Sequence, residues 1–217
     1  MRAASDRTWR LLLIAFAMSS APPCLAAQPS SECEAATATA ARAQGVPPAV
    51  LYAILRTESG RGPQSAPWPW AVNVEGTGHW PATRAEAVDL VERARAQGVT
   101  SVDIGCFQIN LRWHGDAFTS VDAMFDPDAN AAYAAAFLAR LARETGSWRT
   151  AAGAYHSRTP ERAEAYRTRL EAVHARLAGA APAPDHAPRP QNIGLPAMAR
   201  PLIDLGAAVR PLIGGTP

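Results

Sequence analysis

A row of apolar positions between two chain breaks is the clearest pattern in the sequence. The row recurs at i, i+1, i+4 and i+5 and consists of Val50, Leu51, Ile54 and Leu55. This spacing puts the four side chains on one face of an α-helix, and the prolines at 47 and 48 suit a helix entrance. Glu58 lies four residues after Ile54 and therefore shares that face. The pattern predicts a helix that ends near Ser59 with a carboxyl group on its buried side.

Helical spacing returns in several other segments, each with its own end signals. The further predicted helices cover residues 31–44, 83–97, 128–145, 147–156 and 160–177. Gly45 and Gly98 follow two of them, and glycine is favoured just after a helix C-terminus. Thr83 and Glu86 have the spacing of a capping box. These segments predict a mainly helical domain.

Between the helices lies a segment rich in proline, glycine and tryptophan in which polarity alternates. The stretch "WAVNV", followed by "EGTG" and "HW", predicts a short β-hairpin over residues 70–80. Residues 99–105, "VTSVDIG", predict one further extended segment. Together the patterns indicate a mainly α fold of the α+β kind, in which a helical domain carries a small β-hairpin.

The first 27 residues have the pattern of a cleaved signal peptide. Arginines at positions 2, 7 and 10 precede the apolar run "LLLIAFAM", and "CLAA" supplies small residues for cleavage near Ala26 or Ala27. The apolar run is too short to span a bilayer. We therefore expect export to the periplasm or beyond, and one mature domain over residues 28–178.

Charge excludes one class of function. The 217-residue chain has no lysine, and its 21 basic residues are all arginine. Three arginines and Asp6 give the leader a charge of +2, so its removal lowers the formal net charge from +2 to zero. A neutral mature protein without a basic block is not expected to bind nucleic acid.

Composition shifts once more after the last predicted helix. Proline, alanine and glycine dominate residues 179–217, and the prolines that exclude a continuous helix there include Pro182, Pro184, Pro188 and Pro190. We expect these residues to form a flexible tail.

Two cysteines, Cys33 and Cys106, remain after the leader is removed. In an oxidising compartment such a pair favours a disulfide. The alternative is a nucleophilic Cys106 with His114 or His156 as its base, which requires an unpaired thiol.

Three short motifs bear on chemistry: "TESG" at 57–60, "GCFQIN" at 105–110 and "AYHS" at 154–157. In this order the motifs resemble the lysozyme-like lytic transglycosylases, specifically the soluble-transglycosylase (family 1) catalytic domain and its secretion- or conjugation-associated type. The resemblance covers residues 33–177, and the matching positions are Glu58–Ser59, Gly105–Gln108, Ala154–Tyr155 and Tyr166. One departure is clear: His156 and Ser157 stand where the family pattern has asparagine and alanine.

The resemblance implies an enzyme that cuts peptidoglycan between N-acetylmuramic acid and N-acetylglucosamine without consuming water. Glu58 would act first as general acid and then as general base, giving 1,6-anhydromuramoyl ends, with the hairpin beside the active-site groove. The implied substrate-binding residues are Ser59, Asn73, Gln108, Tyr155, His156 and Tyr166. No metal or organic cofactor is implied. The expected partners are glycan strands and a secretion, conjugation or pilus assembly of the cell envelope.

The residues themselves support an acidic role for Glu58. Unpaired carbonyl groups at a helix C-terminus and an apolar face both disfavour an ionised carboxylate, so both raise its pKa. A general acid for glycosidic cleavage needs such a raised pKa. The candidates for a second carboxylate, Glu75 and Asp103, are expected to be an exposed turn residue and a structural partner of a backbone amide or an arginine.

Several alternatives stay open at this point. A goose-type lysozyme-like hydrolase would use Asp103 or Glu75 to place a water molecule. A non-catalytic peptidoglycan-binding assembly factor would need no proton donor at all. The aromatic residues offered for stacking on sugar rings are Trp68, Trp70, Trp80 and Trp113. A histidine at position 156 would add pH dependence if it titrated near neutrality.

Overall fold

Helix boundaries in the structure follow the proline, glycine and capping signals of the sequence. The structure is a computed structural model that describes residues 28–62 and 65–177; the predicted leader and tail lie outside these residues. The described helices are α1 (Pro29–Gln44), α2 (Pro48–Ser59), α3 (Arg84–Ala96), α4 (Leu111–His114), α5 (Val121–Met124), α6 (Pro127–Thr145), α7 (Trp148–His156) and α8 (Pro160–Leu177). None of these helices is long and apolar enough to cross a bilayer.

Two predicted helix ends illustrate how local signals operate. Gly45 ends α1 in the left-handed conformation, with φ 64°, and its N–H bonds to carbonyl groups of the last turn. At the start of α3 the Thr83 hydroxyl accepts the N–H of Glu86 at 3.2 Å, as a capping box requires. The Glu86 carboxylate accepts the N–H of Ala82 at 2.8 Å. Both boundaries are therefore fixed by residues within one turn of them.

The longest helix, α6, forms the centre of the domain. It packs against α1 and α7, while α2 packs against α8. Most of its buried side chains are alanines, which allow neighbouring helices to approach closely, and its larger buried side chains are Tyr133, Phe137, Leu138 and Leu141. The predicted mainly helical architecture is confirmed.

The predicted hairpin belongs to a larger antiparallel sheet. The described strands are β1 (Gly60–Arg61), β2 (Ala66–Pro67), β3 (Val72–Val74), β4 (Thr77–His79), β5 (Val102–Ile104) and β6 (Ile109–Asn110). The hairpin β3–β4 continues through β5 and β6 in the order β4-β3-β5-β6, while β1 and β2 pair separately. Asn73 lies opposite Asp103, and Asp103 opposite Asn110. The sheet thus joins the hairpin to the "GCFQIN" motif.

The turn between β5 and β6 is held by a buried side chain of α6. The Asn130 amide donates to the carbonyls of Ile104 and Met124, at 3.1 and 2.8 Å, and its oxygen accepts the N–H of Phe107 at 2.9 Å. Gly105 turns there with φ 82°, and an added Cβ would lie 2.7 Å from the Asn130 amide nitrogen. A glycine is therefore required for Asn130 to reach this turn.

A disulfide joins Cys33 on α1 to Cys106 in the same turn, with the two Cα atoms 5.8 Å apart. The predicted pairing is confirmed. Because the Cys106 sulfur is bonded, the alternative of a cysteine nucleophile is wrong. The turn of residues 105–108 is thus tied covalently to α1 and by hydrogen bonds to α6.

Candidate active site

Glu58 lies in the last turn of α2, whose apolar side is buried apart from the partly exposed Val50. Ile54 and Leu55 are completely covered, and Glu58, on the same face as the spacing predicts, keeps partial exposure at the end of that face. Ser59, also buried, donates its hydroxyl to the Leu55 carbonyl at 3.3 Å within the helix. The helix thus places the Glu58 carboxyl group at the edge of the core, and the Ser59 hydroxyl stabilises the last turn of the helix. Its sugar contact stays a prediction.

A tyrosine from the last described helix reaches the Glu58 carboxyl group. The hydroxyl of Tyr166, on α8, donates to Glu58 Oε1. Burial, followed by the Glu58 charge, raises the pKa of Tyr166 well above its ordinary value of 10.0, so the phenol keeps its proton and remains a donor. The two residues are 108 positions apart in sequence and meet because α2 packs on α8.

The surroundings of Glu58 favour its protonated form. The pKa of Glu58 is raised from 4.5 to about 8, with desolvation as the largest cause and the negative charge of Asp103 acting in the same direction. The Tyr166 hydrogen bond and the positive charge of Arg169 act in the opposite direction. The predicted direction is confirmed, with burial as the largest cause. At neutral pH most Glu58 side chains carry the proton that a general acid needs.

The two candidates for a second carboxylate, Asp103 and Glu75, lie in very different surroundings. Asp103, on β5, is 4% exposed and accepts the side-chain amide of Asn110 at 2.7 Å. Glu75 is exposed at the tip of the β3–β4 hairpin, with φ 49°. Asp103 acts on Glu58 through its charge, an effect that the sequence did not reveal, and Glu75 is a turn residue as expected.

Gln108 supports the turn that carries it. The backbone of this residue is left-handed, with φ 48°, and the side chain is buried. Its amide donates to the carbonyls of Ala71 and Gly105, at 3.1 and 2.9 Å. Gln108 therefore links the turn to the chain that enters β3. The structure shows this structural role, while a sugar contact by the same side chain stays a prediction.

Tyr155 performs a similar task from α7. Its side chain is completely buried, and its hydroxyl donates to the Phe107 carbonyl at 3.1 Å. The tyrosine that bonds to Glu58 is Tyr166 and not Tyr155, whose sugar contact stays a prediction. Asn130 is the residue that sequence reasoning missed entirely; a lone asparagine within an alanine-rich helix is the signal that points to it.

His156 lies at the end of α7, next to Tyr166. Its ring stacks on the ring of Tyr166, with centroids 4.5 Å apart and planes within 1° of parallel. Desolvation, followed by the positive charges of Arg169 and Arg162, lowers the pKa of His156 from 6.5 to about 4. His156 therefore does not meet the condition of a titration near neutrality, because a partly buried imidazole beside two arginines resists protonation.

The remaining predicted contacts lie around the hairpin. Asn73 on β3 accepts the N–H of Gly76 at 2.8 Å and so stabilises the hairpin turn. Trp68 and Trp70 meet edge to face, and the Trp68 indole donates to the Pro81 carbonyl at 2.8 Å. This bond connects the "PWPW" segment to Pro81, the residue that follows Trp80. The side chain of Trp80 is 46% exposed.

One cleft in the described part of the chain lies away from Glu58. Its volume is about 630 Å³, and it opens between the end of α3, the loop of residues 98–100, α4 and α5. Its lining includes Arg95, Arg112 and Asp116 but no residue that contacts Glu58. Within the described residues, no group of three His, Cys, Asp or Glu side chains is placed to hold a metal ion.

A mainly helical, lysozyme-like fold with a small antiparallel sheet defines the structural class of this protein. The family comparison makes the class specific: the model of the transglycosylase SLT domain matches residues 35–171, well over half of the chain. The chain belongs to this family, and membership identifies it as a lytic transglycosylase acting on peptidoglycan. Comparisons with curated proteins and with solved structures gave no match.

Proposed function

We propose that the protein cleaves the β-1,4 bond between N-acetylmuramic acid and N-acetylglucosamine with Glu58 as its acid and base. The observation that carries this proposal is the Glu58 carboxyl group itself, desolvated to a pKa of about 8 and hydrogen-bonded by Tyr166. A carboxyl group in this state donates a proton near neutral pH, as glycosidic cleavage requires.

The reaction needs one carboxyl group used twice. Protonated Glu58 gives its proton to the bridging oxygen, and the bond from that oxygen to the anomeric carbon of the muramoyl residue breaks. The acetamido oxygen of the substrate supports the positive charge that develops there. Ionised Glu58 then takes the proton of the muramoyl 6-hydroxyl, whose oxygen bonds to the anomeric carbon. Glu58 ends protonated, no water is consumed, and the product is a 1,6-anhydromuramoyl end.

Tyr166 assists the second half of this cycle. A hydrogen bond donated to a carboxylate stabilises the charged form, and the Tyr166 bond lowers the pKa of Glu58. The Glu58 carboxylate is formed during the first step and must persist long enough to act as base. Burial and the tyrosine therefore serve the two steps separately.

The surroundings of Glu58 favour this mechanism over the hydrolytic alternative. A hydrolase of the goose type would use Asp103 or Glu75 to position water. Asp103 is buried in a hydrogen bond with Asn110, and Glu75 is exposed at a hairpin turn. The non-catalytic alternative leaves unexplained why a carboxyl group is desolvated and bonded by a tyrosine.

Export and cellular setting are part of the proposal. The leader pattern of residues 1–27 supports export to the periplasm, where peptidoglycan is accessible. The proline-rich composition of residues 179–217 is compatible with a tether to a secretion, conjugation or pilus assembly of the envelope, and equally with a role in wall turnover. Fusion of residues 1–40 to a reporter that is active only after export tests the proposed export. A reporter that is expressed but stays inactive under every growth condition contradicts it.

Mass spectrometry of peptidoglycan fragments tests the chemistry. Wild-type protein is expected to release fragments with anhydromuramoyl ends, and Glu58→Gln to release them at least about 100-fold more slowly. Glu92→Gln, at an exposed glutamate of α3, is the matched control. Fragments with ordinary reducing ends, heavier by one water, would instead establish a hydrolase. Equal activity of the Glu58 variant would remove Glu58 from the mechanism.

A further inference from the structure

Three helices meet at Glu58, and each contributes one side chain to a continuous row of contacts. Glu58 comes from α2, Tyr166 from α8 and His156 from the last position of α7. The Tyr166 hydroxyl donates to Glu58 Oε1, and the His156 ring lies parallel to the Tyr166 ring with centroids 4.5 Å apart. Whatever orients the tyrosine ring therefore also orients the hydrogen bond on Glu58.

The Tyr166 ring needs such orientation because its hydroxyl lies at the end of a rotatable side chain. The second side-chain torsion of a tyrosine has a broad energy profile, so packing decides the plane of the ring. His156 supplies a parallel ring against one face, and the guanidinium of Arg169 also lies over the ring, 5.6 Å from its centroid. A flat neighbour therefore limits the rotation that would carry the hydroxyl away from Glu58.

The histidine occupies this position as an uncharged ring. Its Nδ1 atom is buried and has no hydrogen-bond partner, so this nitrogen does not account for the choice of residue. Burial and the charges of Arg169 and Arg162 keep the ring neutral at the pH values where Glu58 acts. Because Nδ1 is covered, this atom is also unable to contact a sugar in the arrangement seen here.

From these contacts we propose that His156 is a positioning residue, which holds the Tyr166 ring by stacking and so keeps the tyrosine hydroxyl on Glu58. The proposal rests on the proposed role of Glu58. It assigns His156 a task that asparagine, the residue of the family pattern, would not perform in the same way, because an amide is much smaller than an aromatic ring. The ring and not its nitrogen atoms is the active feature.

Three variants separate the ring from its nitrogen atoms. We expect His156→Ala and His156→Asn to lower kcat by about tenfold with little change in KM, since the hydrogen bond on an ionised group is weakened. His156→Phe should recover most of this loss because it keeps a flat ring. The opposite order, with Asn active and Phe impaired, would overturn the proposal and indicate a polar contact to substrate. Phe and Asn can be compared even if the alanine variant does not fold.

A double-mutant cycle tests whether His156 acts through Tyr166. In the Tyr166→Phe protein the hydroxyl is absent, so His156→Asn should cause no further loss of kcat. Multiplicative losses in the double variant would show that the two residues act independently and would overturn the proposal.

A carbon-13 NMR titration of the Glu58 carboxyl group provides a measurement that needs no turnover. Loss of the Tyr166 bond should raise the pKa of Glu58 in His156→Asn and not in His156→Phe, since that bond favours the carboxylate. Asp103 and Arg169, the other charges that act on Glu58, and Arg162 beside His156 are retained in both variants. An unchanged pKa in His156→Asn overturns the inference. Failure of the proposed function would appear separately, as missing anhydromuramoyl products.

Discussion

Replacement of Glu58 by glutamine is expected to stabilise the protein in alkaline solution and to leave it nearly unchanged in acid. Glutamine has the shape of a protonated glutamic acid, and its oxygen can still accept the Tyr166 hydroxyl. The variant therefore preserves the neutral state of the site and removes only the titration. The predicted consequence is a difference in the free energy of unfolding that depends on pH.

The size of the effect follows from the environment of the carboxyl group. The folded protein holds the Glu58 proton up to about pH 8, whereas an ordinary glutamate releases it near 4.5. Stability from this group is complete below the lower value and is lost as pH rises through the higher one, because the folded state binds more protons in between. At 1.36 kcal/mol per pKa unit the loss is about 5 kcal/mol at most, and partial exposure of Glu58 reduces it.

Urea unfolding of both proteins at several values between pH 4 and 9 measures this difference. Other titrating groups are common to both proteins, so subtraction of the two free energies removes their contribution. We expect the variant to gain on the wild type steadily above pH 5 and to reach a plateau near pH 9. A difference that stays constant with pH would refute the argument that burial holds the proton on Glu58.

Three further predictions address other parts of the site. As pH falls from 6.5 to 4, the wild type should lose about 3 kcal/mol of its free energy of unfolding, because His156 binds a proton in the unfolded state but not in the folded one. His156→Phe should not show this loss. Urea unfolding of both proteins at pH 7 and pH 4 measures the difference, and equal losses contradict a lowered pKa of His156. Joint replacement of Cys33 and Cys106 by serine should lower the free energy of unfolding by about 4 kcal/mol through loss of a long closed loop, and a loss below about 1 kcal/mol would contradict the chain-entropy account. Trp80→Ala should raise KM for long glycan strands with little change in kcat, because the exposed ring offers an apolar face without supporting the core; Trp80→Phe should recover part of the loss, and an unchanged KM would exclude Trp80 from substrate binding.

Helix boundaries could be predicted because their causes lie within one turn of them. Thr83 begins α3 through a bond to Glu86, and Gly45 ends α1 by adopting a positive φ. The apolar spacing before Glu58 likewise predicted both α2 and the face that carries the carboxyl group. Capping and helix-end signals depend on residues within one turn of each other, so they can be recognised from a single sequence.

The turn of residues 105–108 shows where such reasoning stops. Its motif "GCFQIN" resembles a substrate-binding segment of the family. In the structure, however, the Gln108 amide donates to backbone carbonyls, and the Tyr155 hydroxyl donates to the carbonyl of Phe107. The partner that organises the turn, Asn130, lies more than twenty residues away on α6. Sequence proximity carries no information about such long-range bonds, and β6 was missed for the same reason.

The environment of Glu58 combines both kinds of information. The helix and its apolar face predicted a raised pKa, but two further groups that act on Glu58 come from distant parts of the chain: Asp103 on β5 raises the pKa, and Tyr166 on α8 lowers it. The opposition between desolvation and the Tyr166 bond has a chemical consequence. Desolvation alone would make a good acid whose conjugate base is too unstable to persist, and the tyrosine bond alone would make a carboxylate that has no proton to give. A mechanism that uses one carboxyl group for both steps requires the two effects at the same atom, and only the packing of α2 against α8 brings them together.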